Sequence, residues 1–576
     1  MVATLPDPAP APPTPAPGSG RASVRRLQRP VVLITTVGVL SLLVTAPMVM
    51  LAYGSLRDDS PGMPSSFTLA NYELLTTAYF WNLVRTSVVI GLGATVVAMV
   101  IGGALAAIIV RTDVPWPKLW DGMVMVPAYV TPFIGAVAWI LLSSPRIGYL
   151  NTMLENIGLP TFDIYSTGGI IWVLGLYFAP FAYLFLRPTL ARLDRSFEES
   201  SRVNGGSGLQ TLRRIVVPLC TPAVLAATLV IFVNAIGNFG VPGVLGRQQN
   251  IEVLPVVLVR LTTQHPTNPN GAAVFGLALA ALTVAGLWIS NRIIRRRDFT
   301  TVTTQGSAEP IRLRLGAFRP VAVAICAGYV VIAVVLPVGA MVIASFQPYL
   351  TTDLGAAGFT LDNYRFVFSY PSVVRAITNS VLLGLGAAVG GSLLALLIAY
   401  IVVRTGWRGR SYVDYAGTAT IAIPHTVFGL ALVWMWISIP LGVYATPWIL
   451  LLAYLALFLP YAVRSAVAGL RQVDDSFEEA SRVLGGAWLL TLRKITAPML
   501  APAVLSGAIM ILYQSVRELP ASMMLHSVGS EVMSVVMWEM ISEGMFVRMF
   551  ALAVVNLAIV VPLVAIASRL SRDTVT

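Results

Sequence analysis

The chain has 576 residues, of which 56% are apolar and 11% charged, and its formal net charge is +12. A soluble domain carries roughly 25% charged residues, so this composition, with a mean hydropathy of +0.79, excludes a soluble globular protein and implies several membrane crossings. The positive charge lies in short loops between apolar runs, the pattern that orients membrane helices; nucleic acid is excluded as a partner and membrane lipid is implied.

The opening stretch, MVATLPDPAPAPPTPAPGSG, is rich in Pro and Ala and predicts a disordered cytoplasmic tail over 1–30. Arg21, Arg25, Arg26 and Arg29 then precede an apolar run at 31–53. That run is too long for a signal-peptide core and no small-residue cleavage site follows, so it reads as a retained first helix. Further runs predict spans at 87–110, 121–142, 168–187, 221–239 and 271–291. After a basic linker at 292–319, a second set follows at 320–345, 378–403, 413–437, 443–463, 500–516 and 548–569. Loops after the second, fourth and sixth spans of each half tend to be basic, which places both termini in the cytoplasm. The expected fold is an all-α integral membrane protein of twelve transmembrane helices, with halves at 31–291 and 320–576.

The halves repeat one another. FTLANY at 67–72 returns as FTLDNY at 359–364, GLGA at 91–94 returns at 384–387, and VRT at 110–112 returns at 403–405. An even number of spans per half makes the repeats parallel, related by an axis along the membrane normal, with each half packed as one bundle and a path between them.

The polar stretch SFEESSRVNGG, 196–206, returns as SFEEASRVLGG, 476–486. Ser196 and Glu199, like Ser476 and Glu479, have capping-box spacing and predict helices beginning at Phe197 and Phe477. Gly205-Gly206 and Gly485-Gly486 end those helices in a left-handed turn. A second short helix, LQTLRRI or LLTLRKI, then runs to Pro218 or Pro498. Each copy is thus a helix–turn–helix presenting carboxylates and arginines, and two equivalent surfaces imply a partner with two equivalent sites.

These residues resemble the coupling-loop signature of ABC importer permeases, E-A-A-x-x-x-G followed by I-x-x-P. The first copy reads Glu199-Ser200-Ser201, Gly205, Ile215, Pro218, and the second Glu479-Ala480-Ser481, Gly485, Ile495, Pro498. The departures are Ser for Ala at 200, 201 and 481, one small residue for another, and Val217 and Ala497 in place of the usual Leu before the proline. The resemblance implies a type I importer permease whose loops dock on two copies of a cytoplasmic ABC ATPase, and an extracytoplasmic substrate-binding protein that delivers the cargo. Its loop residues would be Glu198, Glu199, Arg202, Gly205, Ile215 and Pro218, and Glu478, Glu479, Arg482, Gly485, Ile495 and Pro498. Lys118 and Lys494 are the only lysines and neither sits in a P-loop. The chain is therefore expected to bind no cofactor and not to be an enzyme, with ATP-Mg on the partner.

Polar groups inside spans mark candidate pathways. Asn234 and Asn238 share one helix face, as do Gln514 and Glu518, and Arg517 aligns with Gly237. These five polar residues are the candidate translocation path; the alternative is that Arg517 and Glu518 mark where the span meets water. His425 reads as a packed histidine. His265, His425 and His526 are far apart, and Cys220 and Cys326 give no metal spacing. NFGVPGVLG (238–246) and RELPASMML (517–525) resemble the corresponding segments of ferric-iron permeases, which implies ferric iron as the cargo, with thiamine and 2-aminoethylphosphonate as alternatives. A secondary transporter would need more ionisable groups in its spans, and no catalytic motif supports a membrane enzyme.

Overall fold

The computed structural model describes residues 29–145, 148–193, 201, 203–295, 314–351 and 358–572. The proposed tail and most of the linker lie outside these. The described chain is almost wholly helical, and ten of its helices are long and apolar enough to cross a membrane. Two differences from the predicted twelve spans have a local cause. The region 121–142 is two helices, Pro117–Tyr129 and Pro132–Ser143, bent by 95°. Region 413–437 is also interrupted, into Arg410–Ala416, a 3-10 turn at Ala419–Ala422, and His425–Ser438. Proline removes a backbone donor and pushes the preceding residue into extended backbone. Thr131, before Pro132, has ψ 132°, and Ile423, before Pro424, has ψ 122°.

The elements recur between halves. Ala78–Arg111 and Pro371–Arg404 are both 34 residues long, about 50 Å at the helical rise, which exceeds a bilayer core. Thr167–Arg192 and Pro447–Gln472 are the most enclosed spans, 72% and 67% buried, and form the centre of each half. Their neighbours turn apolar faces outward, where only lipid satisfies them. Small residues let these helices touch: a Cβ on Gly102 would stand 2.2 Å from the Ala179 carbonyl oxygen. Four π-helical turns also come in pairs, Ser41–Thr45 with Val331–Val335 and Leu212–Val216 with Leu492–Thr496. Each ends two residues before a proline, at 47, 337, 218 and 498. The proline ring clashes with the carbonyl four residues back, and a widened turn relieves it.

FTLANY and FTLDNY are staples. Asn71 donates to the Ser55 and Arg57 carbonyls at 3.1 and 2.6 Å, and Asn363 to those of Ser345 and Gln347 at 2.9 and 2.7 Å. Tyr72 and Tyr364 hydroxyls stand 2.8 Å from Ser55 and Ser345. In each half the motif closes the end of the first span by satisfying carbonyls that have no helical partner.

The sequence predicts that each half packs as one bundle; the halves instead exchange contacts. The first span of each half leans on the broken span of the other: Ala46–Ser55 packs on His425–Ser438, and Leu336–Ser345 on Pro132–Ser143. At the first crossing Gly54 lies against Trp434, where a Cβ would meet the indole ring at 2.4 Å. The Trp434 indole N–H reaches the Pro269 carbonyl at 3.3 Å. Elsewhere Ser41 and Thr45 bond the Tyr412 hydroxyl at 2.7 and 3.0 Å.

Candidate functional site

A cavity of about 150 Å³ lies between the halves. Asn234, Asn238, Gln514, Arg517 and Glu518, chosen from sequence as a candidate path, all line it. So does His425, whose ring packs edge-on against Phe458 at 5.6 Å while its side chain stays 34% exposed. The prolines that break the two interrupted spans, Pro132 and Pro424, also border it. The helix breaks therefore open the space that the polar residues line, with the freed backbone facing a cavity rather than lipid.

Asn238 and Glu518 occupy equivalent positions and do equivalent work. Asn238 Oδ1 accepts from the Val241 amide at 3.0 Å, at the start of Gly240–Leu245. Glu518 accepts from the Ala521 and Ser522 amides, both at 2.8 Å, at the start of Ser522–Leu525. Each caps the short helix that follows its span. Glu518 is 4% exposed, so it does not mark a boundary with water. Arg517 reaches across the halves: it donates to the Val130 carbonyl at 3.1 Å, to Gln514 Oε1 at 3.2 Å, and to the Tyr513 hydroxyl. Asn234 is exposed and donates to its own helix at Val230, 2.8 Å. Gln514 donates to the Tyr461 hydroxyl at 3.3 Å.

Sequence reasoning missed Tyr461, Tyr177 and Thr131, which also border the cavity. All three lie within predicted spans, where aromatic and hydroxyl side chains are common and carry no marker of their own. Among the described residues no group of three or more His, Cys, Asp and Glu is placed to hold a metal ion.

The two loops share one backbone device. Gly205 and Gly485 have φ of +75° and +80°. The amides of Gly206 and Gly486 each reach the carbonyl of Ser201 or Ser481 at 2.8 Å, the 6→1 bond of a Schellman turn. The same serines bond Thr211 and Thr491 through their hydroxyls at 2.7 and 2.8 Å. Ile215 and Ile495 sit half-buried in the π turns, with Pro218 and Pro498 exposed just after.

Glu198, Glu199 and Arg202 lie outside the described residues, as does the Ser196 capping box. In the second loop the capping box is not what starts the helix. Ser476–Val483 opens with the Ser476 amide on Asp474 Oδ1 at 2.8 Å, and the Glu478 and Glu479 amides on the Asp475 carbonyl at 3.1 Å. Two aspartates precede the serine and take the cap. Accepting from the Ser476 backbone and side chain holds the Asp474 carboxyl below the usual range. Arg482 lies on this helix and Glu479 is exposed. Glu478 is 1% exposed: Arg404, ending the long helix of that half, approaches it at 3.4 Å, and Thr496 donates to it at 3.1 Å. Arg404 also pairs with Asp475 and donates to the Val473 carbonyl at 2.6 Å.

The chain is 24% identical over 484 residues to the ferric transport system permease protein FbpB of Actinobacillus pleuropneumoniae, covering 82% of this chain and 68% of that protein. It is 24% identical over 481 residues to the Fe(3+)-transport system permease protein FbpB 2 of Haemophilus influenzae, covering 82% and 87%. The spermidine/putrescine transport system permease protein PotB of Escherichia coli matches 46% of this chain with 98% of its own length, at 27% identity. The family model described as the binding-protein-dependent transport system inner membrane component matches twice, over residues 99–299 and 391–575. The chain belongs to that family and is a multi-pass inner-membrane permease of an ABC importer.

Proposed function

We propose that this chain forms the whole translocation path of an ATP-driven importer, with twelve crossings in two parallel halves and both termini in the cytoplasm. The cavity between the halves is the path, and the two Schellman-turned loops are the sites where two copies of a cytoplasmic ATPase dock. A binding protein outside the membrane delivers the cargo, and ferric iron is the cargo to test first, since two relatives that match 82% of this chain are ferric permeases by name. The carrying observation is that five polar residues from two non-adjacent spans meet at one cavity bounded by both broken spans.

Mechanically, each loop leads through a π turn into a span of its own half. The second is tied to a long helix through Arg404–Glu478, and runs through a π turn into the span that ends at Arg517. Closure of two ATPases would move both loops together, and that motion would reach Gln514, Arg517 and Glu518 along one helix axis. Because Arg517 also holds the Val130 carbonyl of the other half, opening the cavity breaks a bond between halves.

The test is reconstitution in liposomes with the co-purifying ATPase and the binding protein of the same host. Stimulation of ATP hydrolysis by the iron-loaded binding protein supports the coupling and the cargo. Stimulation by thiamine or 2-aminoethylphosphonate instead keeps the mechanism and replaces iron. Full uptake by a chain carrying Glu199→Arg and Glu479→Arg would sink the docking role.

A further inference from the structure

The charge of the cavity sorts the cargoes. Two charged side chains line it, Arg517 and Glu518. The Glu518 side chain is 1% exposed, and both its oxygens are engaged. One accepts the Ala521 amide at 2.8 Å; the other accepts the Ser522 amide at 2.8 Å and the Ser522 hydroxyl at 2.5 Å. His425 Nδ1 stands 3.6 Å from it. That carboxylate is held by two backbone amides and a hydroxyl and is almost wholly buried. Arg517 has no such balance. Its partners are a phenol, an amide oxygen and a backbone carbonyl, all neutral, and its Nε has no partner among the described residues. A guanidinium in a low-dielectric wall with neutral acceptors keeps a strong attraction for an oxyanion, which its planar fork fits.

The neighbouring groups are donors as well. Tyr461 accepts from Gln514, which leaves its own O–H proton for another acceptor. The Tyr177 hydroxyl, on a side chain 1% exposed, has no partner among the described residues. Asn234 is exposed at the same cavity and spends only one amide hydrogen on Val230.

We propose that the cavity is built for an anion, so that the cargo passes it bearing a phosphonate, phosphate or carboxylate group held by Arg517, Asn234 and the Tyr461 hydroxyl. The inference rests on the cavity being the path. It separates the three cargoes. 2-Aminoethylphosphonate carries such a group, ferric iron presents one only when wrapped by an anionic chelator, and thiamine is a cation.

The full chain in lipid nanodiscs, without ATPase or binding protein, is titrated with 2-aminoethylphosphonate, ferric citrate, iron-free citrate and thiamine by calorimetry. At least one anionic probe should bind saturably and thiamine should not. Binding of 2-aminoethylphosphonate but not ferric citrate identifies an organic anion; ferric citrate binding at least tenfold tighter than citrate identifies chelated iron. Arg517→Gln should weaken the anion at least tenfold and Arg517→Lys less. Since Arg517 bridges the halves, Asn234→Asp supplies a variant at an exposed position; its added charge should weaken binding at least fivefold. Thiamine binding indifferent to Arg517→Gln, failure of every anion to bind, or unchanged affinity in Asn234→Asp overturns the inference. ATPase stimulation in the complete complex is read separately. Coupled hydrolysis with anion-indifferent variants sinks the anion site alone, and anion binding without coupled hydrolysis sinks the transport reading alone.

Discussion

The two polar loops have the same backbone and different surfaces. Both turn at a glycine of positive φ, both close a 2.8 Å amide-to-carbonyl bond, and both tie serine to threonine across the turn. After the turn they diverge. In the first, Ser207 and Gln210 bond each other's amides reciprocally at 3.0 and 3.3 Å. In the second, Ala487 and Leu490 stand in those places, Trp488 packs on Tyr400 at 5.5 Å, and Leu484 and Leu489 are 88% and 62% exposed. The turn geometry is held fixed in both copies while the side chains around it are free to differ.

The comparison can be broken by a series of substitutions, the largest effect first. Glu199→Arg with Glu479→Arg should abolish uptake while leaving the folded chain intact, read as transport in vesicles beside the yield of monodisperse protein. Glu478→Ala should cost about 3 kcal/mol, because it leaves the nearly buried Arg404 with one carboxylate fewer; a thermal midpoint within a degree of the parent would show that the cluster is idle. Gly205→Val and Gly485→Val should each cost about 2 kcal/mol, since a β-branched residue resists positive φ. Equal losses of ATPase association sharpen the view that the turns are equivalent; a loss in one alone breaks it. Ser207→Ala should cost about 1 kcal/mol of local helix stability. The reverse change, Ala487→Ser, should gain less because Leu490 has no group to return the bond; hydrogen exchange of the two loops measures both.

The smallest effect is one of pH. The folded Asp474 carboxyl titrates below its ordinary range because it accepts from Ser476. Its contribution is therefore present above the unfolded value and is lost as pH falls through the lowered one. Association of the second loop with its partner should be flat from about pH 6 to 8 and weaken only below about pH 4, and Asp474→Asn should flatten that acid limb.

What could be read from sequence was local. Gly205 and Gly485 announced their turns because few other residues hold positive φ. Asn234, Gln514 and Arg517 were found because polar groups in spans are rare. The 95° break at Pro127–Pro132 was hidden from hydropathy, which counts apolar residues without regard to direction. The second-loop cap went to Asp474 and Asp475 because three adjacent residues could serve and only geometry chooses. The crossing of the first spans between halves was invisible, as no local pattern records which helix a distant glycine meets.

That crossing has a consequence in time. Gly54 and Trp434 are 380 residues apart in the chain (434 − 54). At roughly 5 to 20 residues per second, the face around Gly54 is made about 20 to 80 s before the indole that covers it. During that interval the small-residue face lies open to lipid and to any other newly inserted helix. The staple of Asn71 and Tyr72 on Ser55 is complete within the first 72 residues. It fixes the end of the waiting helix long before Trp434 exists, so the order of synthesis and the order of packing run in the same direction.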